Sequence, residues 1–426
     1  MRVLFTTFAA KPHLYSMVPL AWALHTAGHE VRVASQPDLV DEITRASLIA
    51  VPIGEELKLE ESYEELHEEL DSDESFESLG IDISETRAEK LTWEYTLGVS
   101  TVYSSLVLPS MTDDRTIDDI VKFARQWRPD LVVWDPLTFS GAVAAKVTGA
   151  AHARMLFGLD FMANMRTAFT RLLERRPPEL RDDPLREWLT PILARFGCDF
   201  TEDMAVGQWT IDTMPSWLRL PVDLDYVPMR FVPYHGQSSV PDWVHRRPAR
   251  TRVCLTLGVS GREVIGGDTL PVADMIKAVE GLDVEVVATL TAEQVEQVPE
   301  IPQNVRLVDF VPLNVLLPTC SAIIHHGGQG AFGTALATGV PQLIVPNQDD
   351  WDTYAKARES AGRGIGLFVD PGELTAATLR SSLLRLLDEP EFREKAERDR
   401  RGLLAIPNPN DIVAELEERT ARHGAR

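Results

Sequence analysis

The sequence predicts an α/β protein of two doubly wound, Rossmann-like units that face each other across a cleft. Three observations predict it. Short apolar runs at residues 3–7, 30–35, 131–137 and 153–159 alternate with helical patterns, the rhythm of a parallel sheet covered on both faces. The same rhythm restarts at 252–260 and continues through 284–290, 304–311, 322–324 and 341–346. Between the two series, residues 218–250 are rich in proline and show no periodicity, as expected of a crossing between domains. A chain of 426 residues is long enough for two or three domains.

The elements follow in order. Residues 3–7 read as a first strand, 9–16 as a loop and 18–26 as a helix. Gly28 follows that helix where positive φ is easiest. The strand 30–35 comes next. The stretch EELKLEESYEELHEELDSDESFE at 55–77 then interrupts the rhythm with twelve carboxylates and one lysine, and reads as a solvated helix or an insertion. The strands 131–137 and 153–159 complete the first domain, assigned to 1–217. Residues 218–250 read as the linker and 251–406 as the second domain. PNPND at 407–411 starts a last helix, 407–426, expected to pack back on the first domain. Ligands of open α/β sheets sit beyond the carboxyl ends of the strands, which is where the cleft falls.

Composition narrows the function. Hydrophobic residues are 44% and charged residues 25%, ordinary for a globular protein. No run reaches the ~18 to 20 apolar residues of a membrane span, and MRVLFTTFAA reads as a strand and not as a signal peptide. Cys198, Cys254 and Cys320 match no zinc spacing, and their odd number argues against a disulfide framework. A reducing, cytoplasmic setting fits. A net charge of −23 leaves no basic footprint for nucleic acid. It is compatible with a cationic ligand or a basic protein surface. Oligomeric state is open, a homodimer included.

The most informative stretch is AIIHHGGQGAFGTALATGVPQLIVP, residues 322–346. A buried strand ends at Ile324 and is followed by His325, His326 and glycines at 327, 328 and 330. Glycine lets backbone approach a ligand without a Cβ in the way. A helix expected over 331–338 would point free N–H groups at the same spot, and such a terminus favours an anion. His326 adds a donor. The assembly reads as a diphosphate cradle. It is neither a Walker loop, since no Gly-Lys-Ser/Thr follows, nor the GxGxxG dinucleotide pattern. A metal is not expected, because no second ligand cluster accompanies the two histidines.

HHGGQG, then Thr334, then PQLIVP and a WD pair together resemble the donor signature of GT-B nucleotide-sugar glycosyltransferases. MRVLFTTFAAKPHLYSMVPLAWAL, WRPDLVVWDPLTFSGAVAA, GQWTIDTMPSWLRL and MRFVPYHG extend the resemblance over nearly the whole chain, to the branch that attaches deoxysugars, often aminodeoxysugars, to polyketide antibiotics such as macrolides and anthracyclines. Desosaminyl, forosaminyl and daunosaminyl transferases are of this kind. The resemblance implies a dTDP-deoxysugar as co-substrate, a polyketide aglycone as acceptor, and no cofactor or metal. It places His326 and the N–H groups near Gly330 and Ala331 at the diphosphate, with Gly328 and Gln329 in the same nucleotide-sugar-binding stretch, His325 either there or packed at the strand end, and Phe310 and Val311 of DFVPL at the base. Thr256, Gly258 and Ser260 fall in the loop facing the phosphates. Where many UDP-using relatives carry a Glu that takes both ribose hydroxyls, this chain has Thr334. A 2′-deoxyribose has one hydroxyl fewer, which points to dTDP. The sugar-binding Asp falls in PNQDDWDTYAKA, on Asp352 or Asp350, with Asp352 the better match.

Sugar transfer also needs a base for the acceptor hydroxyl. His13, in the loop after the first strand, matches that position in inverting relatives, and imidazole titrates near the working pH. Asp135, at the end of LVVWD, matches the residue that orients it. Asp160 follows another strand and is expected either to reach the sugar or acceptor or to cap a helix. Two alternatives remain open: a nucleotide-sugar 2-epimerase of the same fold, and a helper subunit that binds a sugar nucleotide without turnover. The resemblance further implies a helper protein like an inactive haem monooxygenase. The acidic stretch 55–77 is suited to steer a basic partner surface.

Overall fold

In the computed structural model of the chain, the structure describes residues 1–58, 82–258, 271–346 and 351–424. The chain divides into two compact units, Met1–Arg230 with Pro407–Arg426 and Phe231–Ile406.

The first unit carries β1 (Arg2–Thr6), β2 (Glu30–Ser35), β3 (Ala50–Pro52), β4 (Leu131–Trp134), β5 (Ala151–Met155), β6 (Trp209–Asp212) and β7 (Tyr226–Pro228). Their spatial order is β3-β2-β1-β4-β5-β6-β7, and every pairing is parallel. The helix between β1 and β2 runs Lys11–Thr26, and Gly28 beyond it has φ +92°. β4 is buried along its whole length, as a strand covered on both faces must be.

The second unit carries β8 (Thr251–Thr256), β9 (Val284–Thr289), β10 (Val305–Val308), β11 (Ala322–His325), β12 (Gln342–Ile344) and β13 (Gly366–Phe368), ordered β10-β9-β8-β11-β12-β13. Alternate residues of its strands feed two cores. Val253, Leu255, Val286 and Ile324 pack on one face with Met275, Val279, Leu379 and Leu383. Cys254, Val287 and Ile323 pack on the other with Leu316, Val340 and Ala335. The period-2 pattern of each strand therefore supplies both layers. Cys320 joins the second core, where burial pushes its thiol up to about 12. Among the described residues no helix is long and apolar enough to cross a membrane.

Four expectations are corrected, the last in its bounds only. The stretch 9–16 is not a loop: the helix starts at Lys11, with Pro12 in its first turn, where the missing N–H is harmless. The crossing read at 218–250 is divided, because Tyr226–Pro228 pairs with β6 as the edge strand of the first sheet. Residues up to Arg230 thus join the first unit. The apolar run read at 153–159 forms its strand over Ala151–Met155, two residues earlier than read. The last helix spans Val413–His423 and lies on the first unit, where Arg419 pairs with Asp225 and Glu417 with His29. Most of the acidic stretch 55–77 lies outside the described residues.

Candidate active site

In both sheets the strand order reverses at one point, between β1 and β4 in the first and between β8 and β11 in the second. Loops leaving two such strands diverge to opposite faces, which opens a crevice at the carboxyl ends of the strands. Most of the described residues with expected chemistry fall at one of these two points.

At the first point, His13 sits in the opening turn of the helix Lys11–Thr26, and Asp135 directly follows β4. The backbone brings them together because β1 and β4 are paired, with Thr6 opposite Trp134. His13 Nδ1 donates to Asp135 Oδ2 at 2.6 Å. Asp135 is fully buried, and its other oxygen accepts the Leu137 N–H at 2.9 Å. A carboxylate held in this way fixes the tautomer, so Nε2 is the ring nitrogen left to accept a proton. The imidazole packs against two phenyl rings, Phe8 at 4.5 Å and Phe157 at 4.1 Å between centroids.

At the second point, Thr256 ends β8 and His325 ends β11, and the two residues lie opposite each other. His325 is fully buried and closes the turn. Its Nδ1 accepts the Gly327 N–H at 3.0 Å, and its Nε2 donates to Gln342 Oε1 at 2.9 Å. That arrangement requires a neutral ring. Burial lowers the His325 pKa to about 3, with the neighbouring His326 adding to the effect. Gly327 takes φ +105°, a conformation for which glycine is suited.

His326 follows. A Cβ on Gly258 would stand 2.6 Å from its Cε1, and one on Gly328 would stand 2.5 Å from its Nε2. The imidazole is thus seated directly on two bare Cα positions. The helix Gln329–Thr338 begins here with Gly328 as N-cap and no side-chain cap. Its first intrahelical backbone bond joins the Phe332 N–H to Gly328 O. The N–H groups of Gln329, Gly330 and Ala331 therefore precede the helical ladder and point out of its positive end. Thr256 Oγ1 accepts from the Thr289 hydroxyl at 2.7 Å and from the Gly258 N–H at 3.3 Å, which shapes the facing loop.

Other expected residues fare differently. The Phe310 ring is exposed beyond β10 and the Val311 side chain is buried. Asp352 is buried and its Oδ1 pairs with Lys356 Nζ at 2.6 Å. Sequence reasoning missed Lys356, although its i+4 spacing from Asp352 was a usable signal. Ser260 and Asp350 lie outside the described residues. Thr334 is a correction: it is fully buried and its hydroxyl donates to Gly330 O at 2.6 Å. A threonine turned inward on a helix satisfies itself on the carbonyl four residues back, so it does not present that hydroxyl to a ribose. Asp160 takes the capping role, one of the two expected of it. It caps the helix Phe161–Leu173 through the Ala163 N–H, takes two bonds from the fully buried Arg154, and accepts the Tyr226 hydroxyl. Every lone-pair direction with a role is thus spent inside the fold.

Two parallel-sheet units, one ending in a buried histidine–carboxylate pair and the other in a glycine-lined helix terminus with a histidine beside it, define a GT-B glycosyltransferase. Comparison with known proteins gives the family. Residues 22–258 match the N-terminal domain, and residues 273–419 the C-terminal domain, of the erythromycin biosynthesis protein CIII-like family. The aclacinomycin-T 2-deoxy-L-fucose transferase of Streptomyces galilaeus is 56% identical, covering 99% of this chain and 97% of that protein. The 10-deoxymethynolide desosaminyltransferase of Streptomyces venezuelae is 48% identical, covering 99% and 98%. Among solved structures, the glycosyltransferase VinC in complex with dTDP superposes with a TM-score of 0.90 at 44% identity, covering 99% of this chain and 100% of that one. The chain belongs to the erythromycin biosynthesis protein CIII-like glycosyltransferases.

Proposed function

We propose that the chain transfers a deoxysugar, in the aminodeoxysugar class or close to it, from a dTDP donor to a hydroxyl of a polyketide aglycone of the macrolide or anthracycline type, with inversion at the anomeric carbon. The observation that carries this reading is the buried bond from His13 Nδ1 to Asp135 Oδ2 at 2.6 Å. In the step proposed, His13 Nε2 takes the proton of the acceptor hydroxyl. The acceptor oxygen forms its bond to the anomeric carbon from the face opposite the leaving group. The bond from that carbon to the β-phosphate oxygen breaks, and dTDP leaves with the electron pair. The N–H groups of Gln329, Gly330 and Ala331, with His326, receive the negative charge that develops on the diphosphate. Asp352, held by Lys356, contacts the sugar, and Phe310 lies against the base.

The dTDP donor is supported by the dTDP complex of VinC and by relatives named for transfer of 2-deoxyfucose, desosamine and daunosamine. Support from Thr334 falls away with its burial. A helper protein like an inactive haem monooxygenase, meeting the acidic stretch 55–77, is the partner we propose. Full turnover by the lone chain removes that partner from the reading. The experiment for the activity itself incubates the purified chain with dTDP-2-deoxy-L-fucose or dTDP-desosamine and with aklavinone or 10-deoxymethynolide. Mass detection of a glycosylated aglycone is the expected result. Release of free sugar with no glycoside under every pairing, with and without the helper, contradicts it.

A further inference from the structure

We propose that Phe8 and Phe157 are positioning residues that clamp the His13 imidazole in one plane, a role that rests on the reading of His13 as the base. The geometry starts from the sheet. β1, β4 and β5 are consecutive in space, so the segments that leave their carboxyl ends lie side by side. Phe8 follows β1, Asp135 follows β4 and Phe157 follows β5, each within two residues of the strand end. Asp135 fixes one ring atom, Nδ1. A single hydrogen bond leaves an imidazole free to tilt about the donor–acceptor axis, and each tilt swings Nε2 through an arc. The two phenyl rings remove that freedom. Phe8 meets the imidazole edge-on at 61° and Phe157 meets it at 45°, from centroids 4.5 Å and 4.1 Å away.

An aliphatic side chain of similar bulk fills the space without supplying a flat, rigid ring. Phe8 is buried in the core, so it is a poor first target. Phe157 is only half-buried, so it can be changed with less risk to folding.

The test uses Phe157→Leu and Phe157→Tyr in the full chain, assayed with whichever pair gives product in the screen above. Phe157→Leu is expected to lower kcat by roughly 5- to 30-fold, with the acceptor KM changed by less than about threefold. Affinity for dTDP, measured by calorimetry, should be unchanged. Phe157→Tyr keeps the ring and should restore kcat to within about twofold. The downfield proton resonance of His13 Nδ1–H is expected to be sharp in the wild type, to broaden in Phe157→Leu and to stay sharp in Phe157→Tyr. That resonance is read without substrate. If Phe157→Leu unfolds, Phe157→Met takes its place with the same expectation. Turnover of the Leu or Met variant within twofold of wild type, with an unbroadened resonance, overturns the clamp. His13→Ala separates the two readings. An inactive His13→Ala beside a fully active Phe157→Leu removes the clamp alone. A fully active His13→Ala removes the base and the clamp with it.

Discussion

His13 and Asp135 share a 2.6 Å hydrogen bond that joins the first turn of one helix to the end of the neighbouring strand. The carboxylate is fully buried, so its direction is set by the fold and does not depend on solvent. Replacing His13 with Ala should lower turnover by about 10² to 10⁴-fold, the usual worth of general-base catalysis. Asp135→Asn should fall in the same range, because an amide can leave the imidazole in the wrong tautomer. The double variant should be little worse than the worse single one, since the pair acts as a unit. Steady-state kinetics on the three variants checks this, and strictly multiplicative losses would speak against a shared role.

His326 rests on Gly258 and Gly328. His326→Ala should weaken dTDP binding by about 1.5 to 3 kcal/mol if the ring donates to phosphate. Gly328→Ala should act through the same ring. Its backbone has an ordinary φ of −56°, yet the new Cβ would meet His326 Nε2 at 2.5 Å. Calorimetry with dTDP should show both variants weakened and the double variant close to His326→Ala. Wild-type affinity in Gly328→Ala would mean that the ring position does not matter for the nucleotide.

Thr334→Val should leave the ratio of dTDP to UDP affinity within about twofold of wild type, because the hydroxyl serves Gly330 O inside its own helix. Paired titrations with the two nucleotides decide it. A marked loss of dTDP preference would return Thr334 to the ribose.

Asp160→Asn should harm stability before chemistry. It leaves the Arg154 guanidinium, which is wholly buried, without its anionic partner, and breaking a buried pair in this way costs about 3 to 5 kcal/mol. Denaturant unfolding should show the loss, while kcat of the remaining folded enzyme at low temperature stays near wild type. A folded, stable variant with no turnover would restore a direct role for Asp160.

Acid should act on the second unit through His325. Its pKa is lowered from the ordinary 6.5 to about 3, so below pH 6.5 the unfolded chain takes up a proton that the folded one refuses. The stability tied to this ring is therefore complete above pH 6.5 and is lost as the pH falls from there toward 3. Nuclear magnetic resonance should find the ring neutral at pH 5 in the folded protein. A ring that titrates near 6.5 would contradict the bonds to Gly327 and Gln342.

Much of this was legible in the sequence, and the reasons for the misses are physical. Strand ends are readable because the apolar period stops abruptly, as at Ile324 and His325, and glycines at 327 and 328 mark backbone that must come close to something. The direction of a helical side chain is less readable. Thr334 lies in an apolar run, AFGTALAT, in which the outward and inward faces look alike, and only packing decides which way a hydroxyl points. Pro12 reads as a loop former, yet it occupies the first helical turn and puts His13 on the helix. Phe8 and Phe157 are ordinary apolar residues at two strand ends. They meet because β1, β4 and β5 are neighbours, and that order is set by tertiary pairing.

The backbone bond from the Arg230 N–H to Pro407 O, 2.7 Å long, ties together the two points where the chain leaves the first unit and comes back. Topologically the second unit is an insert, nested within a first unit whose own sequence is interrupted. On the ribosome the order of completion is inverted. The insert, ending at Ile406, has its whole sequence available before the residues from Pro407 onward that finish the first unit, although that unit was begun earlier. The first unit must then wait for the last helix, with Arg419 for Asp225 and Glu417 for His29, before it is complete. A chain cut short near its end would keep the whole sequence of the second unit and lose the residues that finish the first.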